Sequence, residues 1–377
     1  MKNQLTQIEE DISEKFVITK VLMSLPDCYK HFVSAWESVP DDKHKNLVAR
    51  LLMEEQLKTK KEEAMQSTSS AFVAREIEKK KASLKEIEKL NSESVGPEGH
   101  RARYGLTPLS DMSKVEFRDI HLSDEKISKA PDSYAKSWIN KRHHHNHEAY
   151  NVVRRKRASL PLYVDWRLNN TVGPIKNQGL CGACWAYSTV GVIETMAGIL
   201  TGKMQSLSVQ EVIDCARLGN AGCLGGDICL LLDWLLITKS PLINENNYPI
   251  RAMDGVCSLK KNVTGVTVTS FTCDDFVGAE DKILEAIANH GPVAVAVNAL
   301  TWQNYLGGVI QYHCSGKLEE LNHAVELVGY DLSGDVPYYI AKNSWGTEFG
   351  NEGYLNLAIG MNVCGLASEV ATVDVKV

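Results

Sequence analysis

Cys184 is the residue in this 377-residue chain whose surroundings suit a reactive thiol. It falls in Gln178-Gly179-Leu180-Cys181-Gly182-Ala183-Cys184-Trp185. The run from Ala186 to Leu200 behind it holds Val190, Ile193, Ala197 and Leu200 at helical spacing, with no proline. That spacing predicts a helix with Cys184 at or near its N-terminus. Unpaired N–H groups and the helix dipole at such an end favour negative charge, so the thiol should lose its proton more easily. A thiolate is a nucleophile, and covalent catalysis would start here. His323, in Asn322-His323-Ala324, lies 139 residues downstream, and Asn343, in Asn343-Ser344-Trp345-Gly346, lies 159 downstream. A histidine that withdraws the proton leaves a thiolate–imidazolium pair in which each charge stabilises the other. An asparagine carbonyl on the far side of the ring would set its tautomer and orientation. Trp345 would shield that bond from water. Gln178, six residues before Cys184, offers an amide NH2 that could form an oxyanion hole with the Cys184 N–H.

Two other chemistries use the same residue types. Cys181-Gly182-Ala183-Cys184 could be a redox pair or half of a zinc site. No second Cys-x-x-Cys follows, and His323 and Asn343 would then be coincidences. His143-His144-His145-Asn146-His147 could bind a metal or respond to falling pH. Without a cysteine or acidic ligand cluster beside it, the run reads as solvated linker. No metal or cofactor is expected.

Cys181-Gly182-Ala183-Cys184-Trp185, followed by a histidine and an asparagine at these distances, resembles the signature of papain and the cathepsins. Leu160-Pro161-Leu162-Tyr163-Val164-Asp165-Trp166-Arg167 is similar to the mature start of that family. From about Leu160 to the C-terminus the chain resembles a papain-like cysteine protease, and within that family the cathepsin O branch. The resemblance implies an α+β, two-lobed fold in which a helical lobe and a β-barrel-like lobe enclose a cleft. It implies peptide hydrolysis through a thioester by a protein made as a zymogen. It also implies the disulfides Cys181–Cys223, Cys215–Cys257 and Cys314–Cys364, leaving Cys28, Cys229 and Cys273 without family partners. Gly225-Gly226 resembles a glycine pair whose backbone binds an extended peptide, a role that suits residues lacking Cβ. The pocket for the substrate residue before the scissile one is implied near Asp227, Ile228, Ala324 and Glu369, with Trp345 also in the binding cleft. Glu369 falls at the pocket floor, where cathepsin B also has glutamate, and would admit Arg or Lys. The insertion with which cathepsin B trims C-termini is not evident, so an endopeptidase is expected. Asn322 departs from the aspartate of papain. The implied partners are peptide and protein substrates and cystatin-type inhibitors, and the implied location is lysosomal or extracellular.

The elements that must position these residues are also legible. A helical half precedes a β-rich half, whose stretches Val263 to Phe271, Val293 to Val297, Ala324 to Tyr330, Tyr338 to Lys342 and Tyr354 to Leu357 favour strands. Cys184 comes from the first half, and His323 and Asn343 from the second, so the site needs both halves packed together. With 44% hydrophobic residues the chain can bury one or two cores. The net charge of −6 gives no reason to expect nucleic acid or an anionic membrane as partner, and no apolar run is long enough to span a bilayer. Nine of the ten cysteines fall between Cys181 and Cys364, which indicates disulfides made in an oxidising compartment. Met1-Lys2-Asn3-Gln4-Leu5-Thr6-Gln7, in contrast, lacks the apolar core of a secretory signal.

Four segments are expected. Residues 1–78 read as short helices broken by Pro26 and Pro40. Leu22-Met23-Ser24-Leu25-Pro26 and Ala49-Arg50-Leu51-Leu52-Met53-Glu54-Glu55 resemble the Gag polyprotein of copia-type retrotransposons, which implies either a self-association module or, the favoured reading, a fragment of an inserted element with no role in catalysis. Residues 79–122 resemble a truncated cathepsin propeptide. Ile87 and Asn91 fit its spaced helix motif, while Phe72, Glu76, Lys80 and Ser83 depart from it, and Gly105-Leu106-Thr107-Pro108-Leu109-Ser110-Asp111 is similar to its second motif. Residues 123–159 read as a polar linker, and its basic run Arg154-Arg155-Lys156-Arg157 is either a solvated charge patch or, from its place before Leu160, a processing site cut after Arg157. Residues 160–377 are the catalytic domain, with glycosylation acceptors at Asn169-Asn170-Thr171 and Asn262-Val263-Thr264.

Overall fold

The computed structural model describes residue 75 and residues 77–94, 100–122, 160–260 and 263–377. The Gag-like run, Cys28, the histidine cluster at residues 143–147, Arg157 and Asn262 lie outside the described residues. From Glu78 onward the described residues belong to one compact unit. Its leading part is helix α1 (residues 78–93), strand β1 (Arg103–Tyr104) and helix α2 (Lys114–His121). Ser113 starts α2 through a capping box: its hydroxyl accepts from the Glu116 N–H, and the Glu116 carboxylate accepts from the Ser113 N–H.

The larger part has two lobes. Helices α3 (Cys184–Thr201), α4 (Val209–Cys215) and α5 (Ile228–Thr238) make one. The other is an eight-stranded sheet with helix α6 (Asp281–Asn289) packed on it. Its strands are β2 (Tyr163–Asp165), β3 (Thr267–Asp274), β4 (Val293–Val297), β6 (Val309–Ile310), β7 (His323–Asp331), β8 (Tyr338–Lys342), β9 (Tyr354–Ala358) and β10 (Val370–Lys376). They run in the order β3-β10-β4-β7-β8-β9-β6, with β2 added to β7, and only β6 and β9 pair in parallel. Strand β5 (Tyr305–Gly307) stands apart and pairs with β1, Tyr104 opposite Tyr305. The α+β, two-lobed architecture is the expected one. The expected helix begins two residues earlier than its apolar run, on Cys184 itself. The expected strand from Val263 begins instead at Thr267 and extends to Asp274, because its far end pairs with β10. That partner lies a hundred residues away in the chain, so the local pattern did not reveal the extension.

Helix α3 is buried from Cys184 to Gly198, polar Glu194 and Thr195 included, because it runs between the lobes. Thr195 Oγ1 donates to Glu326 of β7 at 2.8 Å, and Lys342 Nζ of β8 lies 3.3 Å from the same carboxylate. Gly191 makes that approach possible, since a Cβ there would stand 2.5 Å from Glu326 Oε2. On the other side Glu194 accepts from Lys176 Nζ and the Leu207 N–H. Breaking one partner of such a buried pair costs roughly 3–5 kcal/mol, and the Thr195 bond to Glu326 joins α3 to the sheet.

Candidate active site

Each functional side chain sits at the end of an element. Cys184 is the first residue of α3, whose first turn carries no carboxylate to compete for the N-terminal amides. His323 opens β7, and Asn343 follows the last residue of the neighbouring strand β8. Antiparallel pairing therefore brings two residues twenty apart to the same end of the sheet. His323 Nε2 and Asn343 Oδ1 are 2.8 Å apart. The acceptor there is a carbonyl, so Nε2 carries the hydrogen and Nδ1 is left as the basic atom. Trp345 lies over the histidine, ring centroids 4.7 Å apart, and is itself 4% exposed. The Asn343 bond is thereby kept from water.

Gln178 is fully buried and held on three sides. Its backbone N–H donates to the Ser344 carbonyl, its Oε1 accepts from Ser344 Oγ at 2.6 Å, and its Nε2 donates to the Cys181 carbonyl at 3.0 Å. Ser344 thus fixes which end of the amide faces the cleft. Its part was not legible from sequence, although its place beside Asn343 was a pointer.

The leading segment occupies this cleft. Gln178 Nε2 also donates to the His121 carbonyl, 3.2 Å away. Phe117, fully buried, meets Trp345 edge-on at 5.3 Å, and the His121 ring meets it at 5.9 Å. Upstream, Asn91 both donates to and accepts from the Tyr104 backbone, and Gln303 Nε2 donates to the carbonyls of Leu109 and Met112. Ser83, which departs from the propeptide pattern, donates to the Ser110 carbonyl at 2.7 Å. Burial under this cover pushes His323 down to about 4, against the upward pull of its Asn343 bond. The covered imidazole is neutral at ordinary pH, so the cover disfavours the charged ring that catalysis requires. His121 is likewise pushed down to about 4 by burial, and neither of its ring nitrogens has a hydrogen-bond partner.

The expected binding residues fall at the start of α5, at the start of β7 and just before β10. Gly225 adopts φ 128°, in the left-handed region that favours glycine. A Cβ on Gly226 would stand 2.5 Å from Asn220 Oδ1 and 2.6 Å from the Trp185 ring. Asp227 caps α5, accepting from the Leu230 N–H at 2.8 Å, and Ile228 and Ala324 are buried beside the helical core. One heteroatom each of Asp227, Cys229 and Glu369 lies within 4.8 Å of the others. The three disulfides implied by resemblance are all present. Cys229 and Cys273, left without family partners, form a fourth with each other. Their distant positions in sequence gave no sign of it; only the packing of α5 on β3 brings them together. Cys184 is left as the thiol among the described cysteines. Among the described residues no helix is long and apolar enough to cross a membrane.

Residues 160–373 match the family model described as papain family cysteine protease. Cathepsin O of Mus musculus is 40% identical over 279 residues, which cover 74% of this chain and 84% of that protein. Cathepsin O of Homo sapiens is 38% identical, covering 74% and 81%. The solved structure of digestive procathepsin L 3 from Tenebrio molitor larval midgut superposes with a TM-score of 0.64 at 27% identity, covering 80% of this chain and 91% of that one. A recombinant stem bromelain precursor superposes with a TM-score of 0.63 at 26% identity, with the same coverages. The chain belongs to the papain family of cysteine proteases. It is a cysteine endopeptidase made as a zymogen, and its substrates are peptides and proteins.

Proposed function

We propose that Cys184 is the nucleophile, His323 the base, Asn343 the group that orients it, and Gln178 an oxyanion donor. The observation that carries this reading is the His323–Asn343 bond, which leaves Nδ1 as the basic atom at the start of β7, the strand on which α3 packs. Once the cleft opens, His323 takes the Cys184 proton and the thiolate adds to the scissile carbonyl carbon. The carbonyl oxygen becomes an oxyanion, held by Gln178 Nε2 and the Cys184 N–H. The imidazolium returns its proton to the leaving amine, giving a thioester. Water, deprotonated by the same ring, then releases the acid and regenerates the thiol. Residues 79–122 act as the prosegment, and its His121 carbonyl takes one of the Gln178 hydrogens in the closed form. Cleavage after Arg157 frees the catalytic part.

The substrate's backbone pairs with Gly225 and Gly226. The residue before the scissile one enters between Asp227, Ile228 and Ala324, with Glu369 selecting Arg or Lys. Glu369→Ala is expected to lower cleavage of an Arg-Arg substrate relative to a Phe-Arg one; undiminished Arg-Arg cleavage would remove this assignment. Four disulfides suit a lysosomal or extracellular enzyme, and cystatin-type proteins are its fitting inhibitors. Residues 1–78 derive from a copia-type Gag and take no part in catalysis.

The test is labelling of the acid-treated full-length chain with an epoxysuccinyl thiol probe, beside Cys184→Ser. Wild type alone should label. Equal labelling of both chains, or labelling of neither, would overturn the assignment.

A further inference from the structure

Three of the four disulfides tie neighbouring parts of one lobe. Cys181–Cys223 and Cys215–Cys257 lie in the helical lobe, and Cys314–Cys364 joins loops of the sheet lobe. Cys229–Cys273 alone joins a helix of one lobe to a strand of the sheet. Both of its ends fall beside the substrate pocket. Cys229 lies in the first turn of α5, two residues after Asp227. Cys273 lies on β3 opposite Ala371 of β10, two residues after Glu369. The cross-link therefore spans from one wall of the pocket to the other.

The structure also shows why these walls need a fastening. Strand β3 is the edge of the sheet and has β10 as its one strand neighbour. Asp227 is tied to α5 by its bond to the Leu230 N–H, and its own N–H donates to Asn220. It therefore moves with the helical lobe, whereas Glu369 moves with β10. Two carboxylates this close repel one another when ionised, and a covalent bond opposes their separation. Cys229 Sγ itself lies 3.6 Å from Glu369 Oε1. An oxidised sulfur has no hydrogen to give, so this is a packing contact that sets the position of the carboxylate.

We propose that the Cys229–Cys273 disulfide is a positioning clamp for the specificity pocket, holding Asp227 and Glu369 at a fixed separation and thereby selecting arginine in the substrate position before the scissile residue. A guanidinium presents donors in a rigid fork, so its recognition depends on the spacing of two acceptors. An apolar side chain in the same place makes no such demand. The inference rests on the pocket assignment made above.

The test uses the full chain, acid-activated, with the active fraction titrated on Cys184 by the epoxysuccinyl probe. The reductant is kept just sufficient for Cys184, and the state of the clamp is checked by alkylation and mass spectrometry. Cleavage of Arg-Arg and Phe-Arg amides is compared for wild type, Cys229→Ala/Cys273→Ala and Asp227→Asn. In the double variant the Arg-Arg to Phe-Arg ratio of kcat/KM should fall by about tenfold, through KM for Arg-Arg, with Phe-Arg cleavage retained. Asp227→Asn should lower the same ratio. A ratio within about twofold of wild type in the titrated double variant would overturn the clamp and leave the bond a general brace. If the double variant gives no titratable Cys184, selective reduction and alkylation of the clamp in folded wild type decides by the same ratio. Failure of the pocket assignment is distinct: Glu369→Ala would then leave Arg-Arg cleavage undiminished.

Discussion

His121 gives the closed form a pH dependence that can be worked through. The ring is 4% exposed, packed against Phe117 and Trp345, with no partner on either nitrogen. Burial lowers it from the ordinary 6.5 to about 4. Docked, the ring must be neutral; released, it can charge. The prosegment is therefore held fully above the free value of 6.5, loses hold as the pH falls through it, and has lost the whole contribution below about 4. Between about pH 7 and pH 5 the loss is about 2 kcal/mol, or roughly twentyfold more open molecules. The limiting loss is about 3 kcal/mol. His121→Leu keeps an apolar side chain against Trp345 but cannot charge. The assay is the initial rate at which the unprocessed chain reacts with the epoxysuccinyl probe, measured against pH for both proteins. His323 is electrostatically coupled to His121, but the first cause of its own shift is burial, which is common to both proteins, so the ratio of rates reports chiefly the His121 ring. The ratio of wild type to His121→Leu should rise about twentyfold across that interval. A ratio that stays flat would refute the reasoning.

Three further changes test other parts of the site. Phe117→Ala empties a fully buried position against Trp345 and should weaken the prosegment's hold by roughly 3–5 kcal/mol, read as rapid probe labelling of the unprocessed chain at neutral pH. Gln178→Ala should lower kcat by roughly a hundred- to a thousandfold with little change in KM, measured by steady-state cleavage of a dipeptide amide. Gly226→Ala drives a methyl into Asn220 and Trp185. It should cost roughly 1–3 kcal/mol, seen as a lowered denaturant midpoint.

Much of the site was legible in the chain itself. Cys184 announced its place through the apolar spacing behind it, because a helix begins within a turn of its periodic run. The strands carrying His323 and Asn343 showed in their β-branched and aromatic runs. Gly225 and Gly226 showed through their resemblance to a peptide-binding glycine pair, while the structure supplied the positive φ of one and the tight surroundings of the other. The departures lie where distant segments meet. Strand β10, absent from the expected strands, pairs with β3 on one side and β4 on the other, and Ser83 holds a prosegment whose helix motif it does not match.

What the amino-acid sequence determined was residue type and local conformation: a thiol at a helix start and an imidazole at a strand start. These depend on neighbours a few residues apart, where the periods of helix and strand act directly. What only the tertiary structure decided was which distant groups touch. Ser344 fixes Gln178, His121 loses its water beneath Trp345, and Cys229 finds Cys273 across the lobes. Those contacts join residues tens to hundreds of positions apart. They are set by how the two lobes and the prosegment bury their apolar faces together, and no local pattern encodes that.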